Sequence, residues 1–525
     1  MKNGFCPCCE CLLLVYSVNS QHGIIYDPIN LPLCRMKTYL LQVVTAVAMI
    51  SSVLVFAGCA AVGPDYHPPE SDAPSIWHTE LRQGLSAEAV DPDQLAVWWT
   101  GFNDPVLTEL ITQALFNNLD VRQAVAKVRE ARGRRGIIQA GLFPVLDESG
   151  SASRSRGSEN SGGGETRSLY AIGFDAGWEV DIFGGVRRSV EAAEAELDAS
   201  RENLRDVLVS LTAEVGLNYL DIRITQKRLG VAEKNLSIQQ EAFDFIGWRY
   251  QAGLSDELAL QQARYNLENT RAGIPALRSS LEEAKNRLAV LTGKVPGSVH
   301  AMLEETRPIP VIPSMVAVGV PAETLRQRPD IRGAERGLAA QTARIGAATA
   351  ELYPKFRLAG SIGLESLTSA DLFSSGSDTW RILPGVSWNI FDAGAIRRNI
   401  EAQSAVQEQF LLFYEAAILG ALEEVENALT AYAEEQLRNA RLSDAVDAAV
   451  LAEELASQQY SAGLTDFTTV LDAQRSLLSF DDQLAISDGT VTSNLIRLYK
   501  ALGGGWSTWA SQQFLNEVED NAQYR

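Results

Sequence analysis

The feature that most constrains this 525-residue chain is an internal repeat, in which many residues match others 210 positions later. The matches include Asp120 with Asp330, Pro144 with Pro354, Trp178 with Trp388, Arg187 and Arg188 with Arg397 and Arg398, Tyr250 with Tyr460, and Gly293 with Gly503. A period of this length indicates a doubled domain, because solenoid units repeat every 20 to 50 residues or so. We assign residues 104–295 to the first repeat and 314–505 to the second, joined by a proline-rich linker at 296–313.

Each repeat contains two segments that predict β-strands. From Tyr170 to Val180, apolar residues or alanine alternate with small or acidic residues, which is typical of a strand with one apolar face. The segment from Trp380 to Ile390 repeats this pattern, and Pro384 within it indicates a bulge or an edge strand. Phe356 to Glu365 also alternates, whereas its counterpart beginning at Pro144 is weaker. We therefore predict four strands in two separated pairs.

The tracts between the strands predict very long helices. Residues 187–249 contain no proline, and a helix of that length would run about 95 Å. One seven-residue apolar ladder extends from Leu208 to Tyr250, and a second extends from Leu217 to Phe245. The ladders are offset by two residues, about 200° around a helix, so this helix has apolar seams on opposite sides. It needs a neighbour on each side, as in a closed cylinder of coiled helices. A second, less regular long helix is predicted at about 396–457.

A shorter helical tract follows each long one. Leu260–Leu288 and Val470–Leu498 each keep a heptad register, and Pro275 should kink the first of these helices. Between each long helix and its partner lies Tyr-x-Ala-Gly-Leu, where Gly253 and Gly463 permit a tight turn between antiparallel helices. The sequence thus predicts two long helical hairpins.

The small number of strands and helical hairpins in one chain then requires that several chains assemble. The smallest membrane barrels have about eight strands, and lipid does not tolerate an open sheet edge. Two helical hairpins cannot enclose a lumen either. We expect a mainly helical protein with some β structure that forms oligomers to cover its strand edges and helix seams.

Charge and cysteine content narrow the class of protein. The net charge of −21 argues against a nucleic-acid-binding protein, which needs a basic surface. Cys59 is the last cysteine, and the five others lie before Met36. A metal site in that early cluster is one interpretation, but a short cysteine-rich run needs a fold around it. We favour translation from Met36, with residues 1–35 as a non-native extension.

Residues 36–58 have the pattern of an export signal. Lys37 is followed by an uncharged, mostly apolar stretch and then by Ala57-Gly58 before Cys59. This end resembles a bacterial lipobox, in which the cysteine is acylated and becomes the mature N-terminus. The alternative, a membrane-spanning anchor, is disfavoured by its marginal length. Ala60, where aspartate would favour retention, points by resemblance to the outer membrane. We expect an extended segment at 59–103 and a C-terminal tail at 506–525.

Several short motifs are shared with a known family. They are Gly63-Pro64-Asp65-Tyr66 after Cys59, Trp98-Trp99 with Phe102-Asn103-Asp104-Pro105, Arg328-Pro329-Asp330-Ile331, Val470–Ser476 and Leu498–Trp506. Together they closely resemble the TolC-like outer membrane factors, in particular the OprM- and NodT-like lipoproteins, over nearly all of residues 59–506. The resemblance implies a homotrimer with one twelve-stranded outer-membrane β-barrel and a periplasmic coiled-coil helical barrel. It also implies docking on a periplasmic adaptor (membrane fusion protein) and an inner-membrane pump, often of the RND type, to export drugs, metals or other solutes.

The resemblance also implies roles for individual residues. Cys59 would carry an N-terminal lipid. The turns between the helices would form the periplasmic tips that meet the adaptor, through Arg249, Tyr250, Gly253, Leu254, Tyr460, Gly463 and Leu464. Asp472 would line the closed entrance, where three copies meet in the trimer. The family often has a second acid three residues earlier, which is Thr469 here, and the repeat mate of Asp472 is Gln262.

We expect no enzyme activity, no catalytic or metal site and no cofactor beyond the covalent lipid, since the sequence contains no phosphate-binding glycine loop and no cysteine nucleophile. Three alternatives to an efflux duct remain at this point. They are the channel of a type I polypeptide secretion system, a structural periplasmic coiled-coil lipoprotein, and a passive porin. The cargo and the identities of adaptor and pump cannot be predicted from this sequence.

Overall fold

The computed structural model describes residues 61–69, 74–161, 163–311, 313 and 315–506 of the chain. The predicted signal peptide, Cys59 and all of the predicted tail beyond Trp506 lie outside these residues. Within them, the protein is mainly helical with some β structure, as predicted.

The helices alternate with the strands along the chain. The α-helices in the described residues are α1 (Pro92–Ala96), α2 (Pro105–Asn117), α3 (Leu119–Ala140), α4 (Gly185–Gln251), α5 (Glu257–Leu291), α6 (Pro321–Gln327), α7 (Pro329–Ala350), α8 (Ala395–Ser461) and α9 (Phe467–Ala501). The strands are β1 (Leu85–Ser86), β2 (Val145–Arg156), β3 (Thr166–Val180), β4 (Val316–Ala317), β5 (Lys355–Ser366) and β6 (Asp378–Ser387). Short 3-10 helices occupy Trp98–Phe102, Glu159–Ser161 and Ala301–Leu303.

The two long helices dominate the molecule. α4 and α8 each contain 67 residues and would each be about 100 Å long. They exceed the predicted bounds by a few residues at each end. Their shorter partners, α5 and α9, each contain 35 residues, and each partner begins 210 residues from the other. α5 is a single helix through Pro275, so the proline does not end it.

The predicted neighbours on both sides of α4 are present. α4 packs against α5 on one side and against α9 on another, with α7 near its start. Leu208, Val215 and Ile222 of the first ladder are buried in the main core. Leu217 and Ile224 of the second ladder are partly buried and pack against the same core, and Ile224 also lies against Gly489 of α9. Residues of both ladders are therefore packed against neighbouring elements.

The long strands form one antiparallel sheet in the order β2-β3-β5-β6. The two repeats meet where β3 pairs with β5, for example at Phe174 and Ile362. β6 lies at the sheet edge, and Pro384 pairs in unbroken register with Leu358, so the edge interpretation of this proline is right and no bulge interrupts the ladder.

The strand predicted to reach Ile390 ends at Ser387. β5 is its partner in this chain, and Lys355, the first residue of β5, pairs with Ser387, so later residues have no strand beside them. Trp388 instead donates its indole N–H to the carbonyl of Leu352 at 3.0 Å. Its repeat mate Trp178 donates to Leu142 at the same distance of 3.0 Å.

The even-numbered residues of the long strands share one face of the sheet, and this face is apolar and uncovered. Phe174, Ile362 and Trp380 are 49%, 65% and 72% exposed. Glu148 of β2, which pairs with Phe174, and Asp378 at the start of β6 are acidic exceptions on this face. No helix in the described residues combines the length and apolar character needed to cross a membrane.

The N-terminal segment is only partly extended, contrary to the prediction for residues 59–103. It contains α1, a 3-10 helix and β1, which pairs in parallel with β4 just after the linker. The Glu426 carboxylate of α8 accepts the backbone N–H groups of His78 at 2.6 Å and Thr79 at 2.9 Å. Burial alone would raise the pKa of Glu426, but these hydrogen bonds outweigh it and hold the pKa below its usual range.

Candidate functional site

The two helix turns have nearly the same backbone. The N–H of Leu254 donates to the carbonyl of Arg249 at 2.8 Å, and the N–H of Gly253 donates to that of Tyr250 at 3.0 Å. In the second turn the N–H of Leu464 donates to Gln459 at 2.9 Å. The pair of hydrogen bonds in the first turn is typical of a helix end at which one residue has a positive φ. That residue is Gly253, with a φ of 73°. The glycines thus have a structural role in the turn itself.

The leucines of the turns are different, because the described residues leave them largely uncovered. Leu254 is 67% exposed and Leu464 is 78% exposed. Both lie at the ends of α4 and α8 that are farthest along the helix from the sheet, since each long helix begins within a few residues of a strand region. Exposed apolar side chains at the end of a long hairpin are candidates for contact with another protein.

Two of the remaining predicted tip residues, Arg249 and Tyr460, contact each other. The guanidinium of Arg249 lies 5.3 Å from the ring centre of Tyr460, and that ring lies 5.2 Å from the ring of Phe467. Both Arg249 and Tyr460 are partly buried, whereas Tyr250 is 40% exposed. The structure therefore brings the two turns together into one end surface.

A small apolar core lies directly behind these turns. It joins all four hairpin helices through Ile246, Ala263, Ala456, Phe467, Val470 and Leu471. Asp256, the repeat mate of Asp466, caps α5 by accepting the N–H of Ala259 at 2.8 Å. The position of Asp256 near the turn is therefore explained by its role as the N-cap of α5.

Asp472, the predicted entrance residue, lies in the second turn of α9 on the side away from this core. Its side chain is 66% exposed and forms an ion pair with Arg475, one turn along the same helix. The sequence prediction of a ring of carboxylates overlooked this arginine, although the i, i+3 spacing was visible in the sequence. Thr469, at the position where the family often has a second acid, shares a hydroxyl hydrogen bond of 2.9 Å with Thr465. Each chain therefore offers a carboxylate and a guanidinium side by side.

The Arg-Pro-Asp-Ile motif is explained by a charge cluster far from the turns. Arg328 is 9% exposed and donates to Asp330 and Glu424, each at 2.8 Å, and to the carbonyl of Ala501 at 2.6 Å. Its repeat mate Asn118 donates to Leu291 at 3.0 Å, which is the residue equivalent to Ala501. Burial raises the pKa of the nearby Asp206 carboxyl, and the charge of Asp330 adds to this. The cluster ties the end of α9 to the start of α7.

Among the described residues, no group of three or more histidine, cysteine, aspartate or glutamate side chains has the arrangement of a metal site. Cys59 lies outside the described residues.

Comparisons with known proteins agree with this arrangement. A family model described as "Outer membrane efflux protein" matches residues 110–294 and 320–504. The toluene efflux pump outer membrane protein TtgF of Pseudomonas putida is 32% identical over 488 residues, covering 91% of this chain and 99% of that protein. The cation efflux system protein CusC of Escherichia coli is 33% identical over 462 residues, covering 86% and 97%. The solved structure of the outer-membrane channel OprN has a TM-score of 0.81 and 34% identity, covering 85% of this chain and 100% of that one.

Proposed function

Because this chain belongs to the outer membrane efflux protein family, we propose that it is the outer-membrane exit duct of a tripartite efflux system. One observation carries this most directly. A sheet with an exposed apolar face lies at one end of hairpins about 100 Å long, and exposed leucines lie at the other end. One end suits a membrane and the other suits a partner protein across the periplasm.

The functional unit is a homotrimer. Among the described residues of a single chain, β2 and β6 each leave one edge without a strand beside it, and lipid cannot satisfy those backbone groups. Joining β6 of one copy to β2 of the next closes twelve strands into one barrel. α8 supports the same assembly, because Leu412, Phe413 and Leu419 are each more than half exposed along its length. These side chains would be covered by a neighbouring copy, completing a helical barrel below the membrane.

The end surface formed by the two turns binds a periplasmic adaptor, and the adaptor connects the duct to an inner-membrane pump of the RND type. Leu254 and Leu464 supply the apolar contact, while Arg249, Tyr250, Tyr460, Gly253 and Gly463 shape the surface around them. Three copies present six such turns in a ring. Multivalent docking of this kind strengthens weak individual contacts.

Asp472 forms the entrance gate together with Arg475. In the trimer three ion pairs would meet at the narrowest point, so the ring would carry alternating charge. Asp472 of one copy and Arg475 of the next would attract one another and hold the closed state. In a ring of carboxylates alone, the three negative charges would repel one another.

Cys59 carries the N-terminal lipid, and this anchors the mature chain to the inner leaflet of the outer membrane. Mass spectrometry of the mature protein tests the assignment. We expect an acylated N-terminal Cys59, and an unmodified residue upstream of Cys59 in the mature protein would contradict it.

The duct has no enzyme activity and needs no cofactor besides this lipid, so the partner pump supplies the energy. The relatives' names refer to toluene in one case and to cations in another, which fits a duct whose cargo is selected by the pump.

A deletion strain tests the proposed function. Loss of the gene should increase susceptibility to the substrates of the partner pump, and the parent gene should restore resistance. Unchanged susceptibility together with ion conductance by the purified protein would indicate a passive porin. Unchanged susceptibility with loss of an exported polypeptide would indicate a type I secretion channel, and a purified protein that forms no trimer in detergent would indicate a structural lipoprotein.

A further inference from the structure

The chain immediately after Cys59 is held by a single buried arginine at the start of α4. Arg188 has a side chain only 6% exposed. Its Nε donates to the carbonyl of Val62 at 3.1 Å, and its Nη2 donates to the Asp65 carboxylate at 2.7 Å. The same Nη2 also reaches the carbonyls of Ala61 and Gly63, each at 3.4 Å. We call residues 61–66 the N-terminal strap.

The position of Arg188 makes these contacts informative. A cation in the first turn of a helix is disfavoured by the helix dipole. No residue within the first turn of α4 is acidic, and the carboxylate of Asp181, just before the helix, accepts the backbone N–H groups of Val186 and Arg187. The strap supplies three carbonyl oxygens and one carboxylate, and Glu191 adds a carboxylate to Nη1 at 2.8 Å. A planar guanidinium with several donors can serve all these acceptors at once, which an ammonium cannot do.

Packing holds the strap as tightly as the hydrogen bonds do. Gly63 has a φ of +93°, and a Cβ there would lie 2.4 Å from the Cα of Gly346 in α7. A Cβ on Gly346 would in turn lie 2.9 Å from the Cδ of Arg188. The N–H of Val62 donates to the carbonyl of Phe183 at 3.0 Å, and Tyr66 donates to Glu335 of α7 at 3.1 Å. The strap therefore fills a groove between α4 and α7 with no room for a side chain at Gly63.

The internal repeat supplies a natural comparison. Arg398 occupies the position equivalent to Arg188 and pairs with Glu401, as Arg188 pairs with Glu191. Yet the side chain of Arg398 is 81% exposed, and nothing lies within 4 Å of a Cβ placed on Gly394. The two arginines thus have equivalent helix positions and equivalent acidic partners. They differ because the strap lies against Arg188 and not against Arg398.

We propose that Arg188 is a positioning residue that fixes the lipid attachment point of the chain at the start of α4, beside the foot of β3. This rests on the proposed lipidation of Cys59. Only Ala60 lies between Cys59 and Ala61, so the two Cα atoms are at most about 7 Å apart in extended chain. A lipid on Cys59 would therefore be attached within about 7 Å of the first residue of the strap.

Loss of this clamp would lengthen the tether considerably. The next contact that the described residues show is the indole of Trp77, which donates to the carbonyl of Gly319 at 3.0 Å. Trp77 lies 16 residues after Ala61, so a strap released at Tyr66 as well as at Arg188 could extend by up to roughly 50 Å. If Tyr66 stays bonded to Glu335, the added reach is limited to the segment before Tyr66, roughly 17 Å. The lipid would still be attached, but its position relative to the duct would no longer be restricted.

Spin labelling of the strap tests the proposal. The mature chain has no cysteine after Cys59, so His67→Cys provides a single label site just beyond the strap. The label is introduced into the full chain, into Arg188→Gln and into the matched control Arg398→Gln. A second variant, Gly63→Val, opens the same groove from the strap side while Arg188 stays in place. The continuous-wave spectrum reports label mobility, and dipolar spectroscopy reports distances between labels in the trimer.

We expect a slow label and a narrow distance distribution in the parent and in Arg398→Gln. Arg188→Gln and Gly63→Val should give a fast component and a distribution broadened by tens of ångströms. Unchanged mobility in both of these variants would overturn the proposal. Every measurement is repeated in Cys59→Ser: a label that stays slow there supports the clamp, and one that becomes fast shows that the lipid, not Arg188, orders the strap. A missing dipolar signal contradicts the trimer, whereas the clamp is decided by mobility alone.

Discussion

The close crossing of α4 and α9 can be tested at one glycine. Gly489 is buried in α9, and a Cβ built on it would lie 2.0 Å from Cγ1 and 2.2 Å from Cδ1 of Ile224. Carbon atoms in ordinary contact are about 3.5–4.0 Å apart. In Gly489→Ala, either the helices separate by about 1.5–2 Å or Ile224 leaves its rotamer. Both responses weaken the seam that joins the first hairpin to the second.

The expected size follows from two opposing effects. Overpacking a close contact costs about 1–3 kcal/mol. Replacing glycine by alanine inside a helix stabilises it by about 0.5–1 kcal/mol. We expect Gly489→Ala to be destabilised by about 1–2 kcal/mol, which for a chain of 525 residues lowers Tm by about 1–2 °C.

Gly230→Ala is the matched control, because Gly230 lies within α4 with nothing inside 4 Å of a Cβ placed on it. Its Tm should be equal to that of the parent or higher. In the Ile224→Ala background, Gly489→Ala should cost less than it does in the parent, since the two side chains compete for one space. Thermal unfolding of the detergent-solubilised protein, at one scan rate, measures the parent, the three single variants and the double variant. A Gly489→Ala protein as stable as the control would refute the close crossing.

Three further predictions concern the tips, the gate and the N-terminal segment. Leu254→Asp combined with Leu464→Asp should abolish export while trimers persist in detergent; normal resistance would contradict adaptor docking there. Asp472→Ala should change single-channel conductance and weaken block by multivalent cations, and if both match the parent, Asp472 is not at the constriction. The lowered pKa of Glu426 adds stability above its ordinary value of 4.5, and this is lost as pH falls through the folded pKa. Glu426→Gln should therefore flatten the acid limb of the Tm profile, and an unchanged limb would count against this role.

Much of the fold could be predicted because the sequence patterns of its helices and strands are periodic and extend over many residues. The absence of proline between Arg187 and Arg249 and the seven-residue ladders were sufficient to predict α4 and its neighbours on both sides. Alternation over ten or more residues predicted β3 and β5. The predicted end of β6 was wrong. This strand ends where its partner β5 begins, at Lys355, and the start of the partner cannot be deduced from the local sequence of β6.

Features without a period escaped prediction. The pairing of Leu85 with Val316 involves strands of two residues, which are too short to alternate. Arg223 is fully buried, with its guanidinium 4.8 Å from the ring centre of Tyr219 and 2.7 Å from the carbonyl of Glu305, although its charge predicts a surface position. At the candidate site, the roles of the turns and of Asp472 are predictions that rest on motifs shared with the family. The contact between Arg249 and Tyr460 needed coordinates, because it joins the two repeats.

The most direct test of the exit-duct proposal is a cryo-electron microscopy structure of the membrane-extracted protein in lipid nanodiscs. We predict three copies that close one twelve-stranded barrel, with β6 of each copy paired to β2 of the next and a continuous helical cylinder below it. Three separate four-stranded sheets, or any other number of copies around the barrel, would contradict the account.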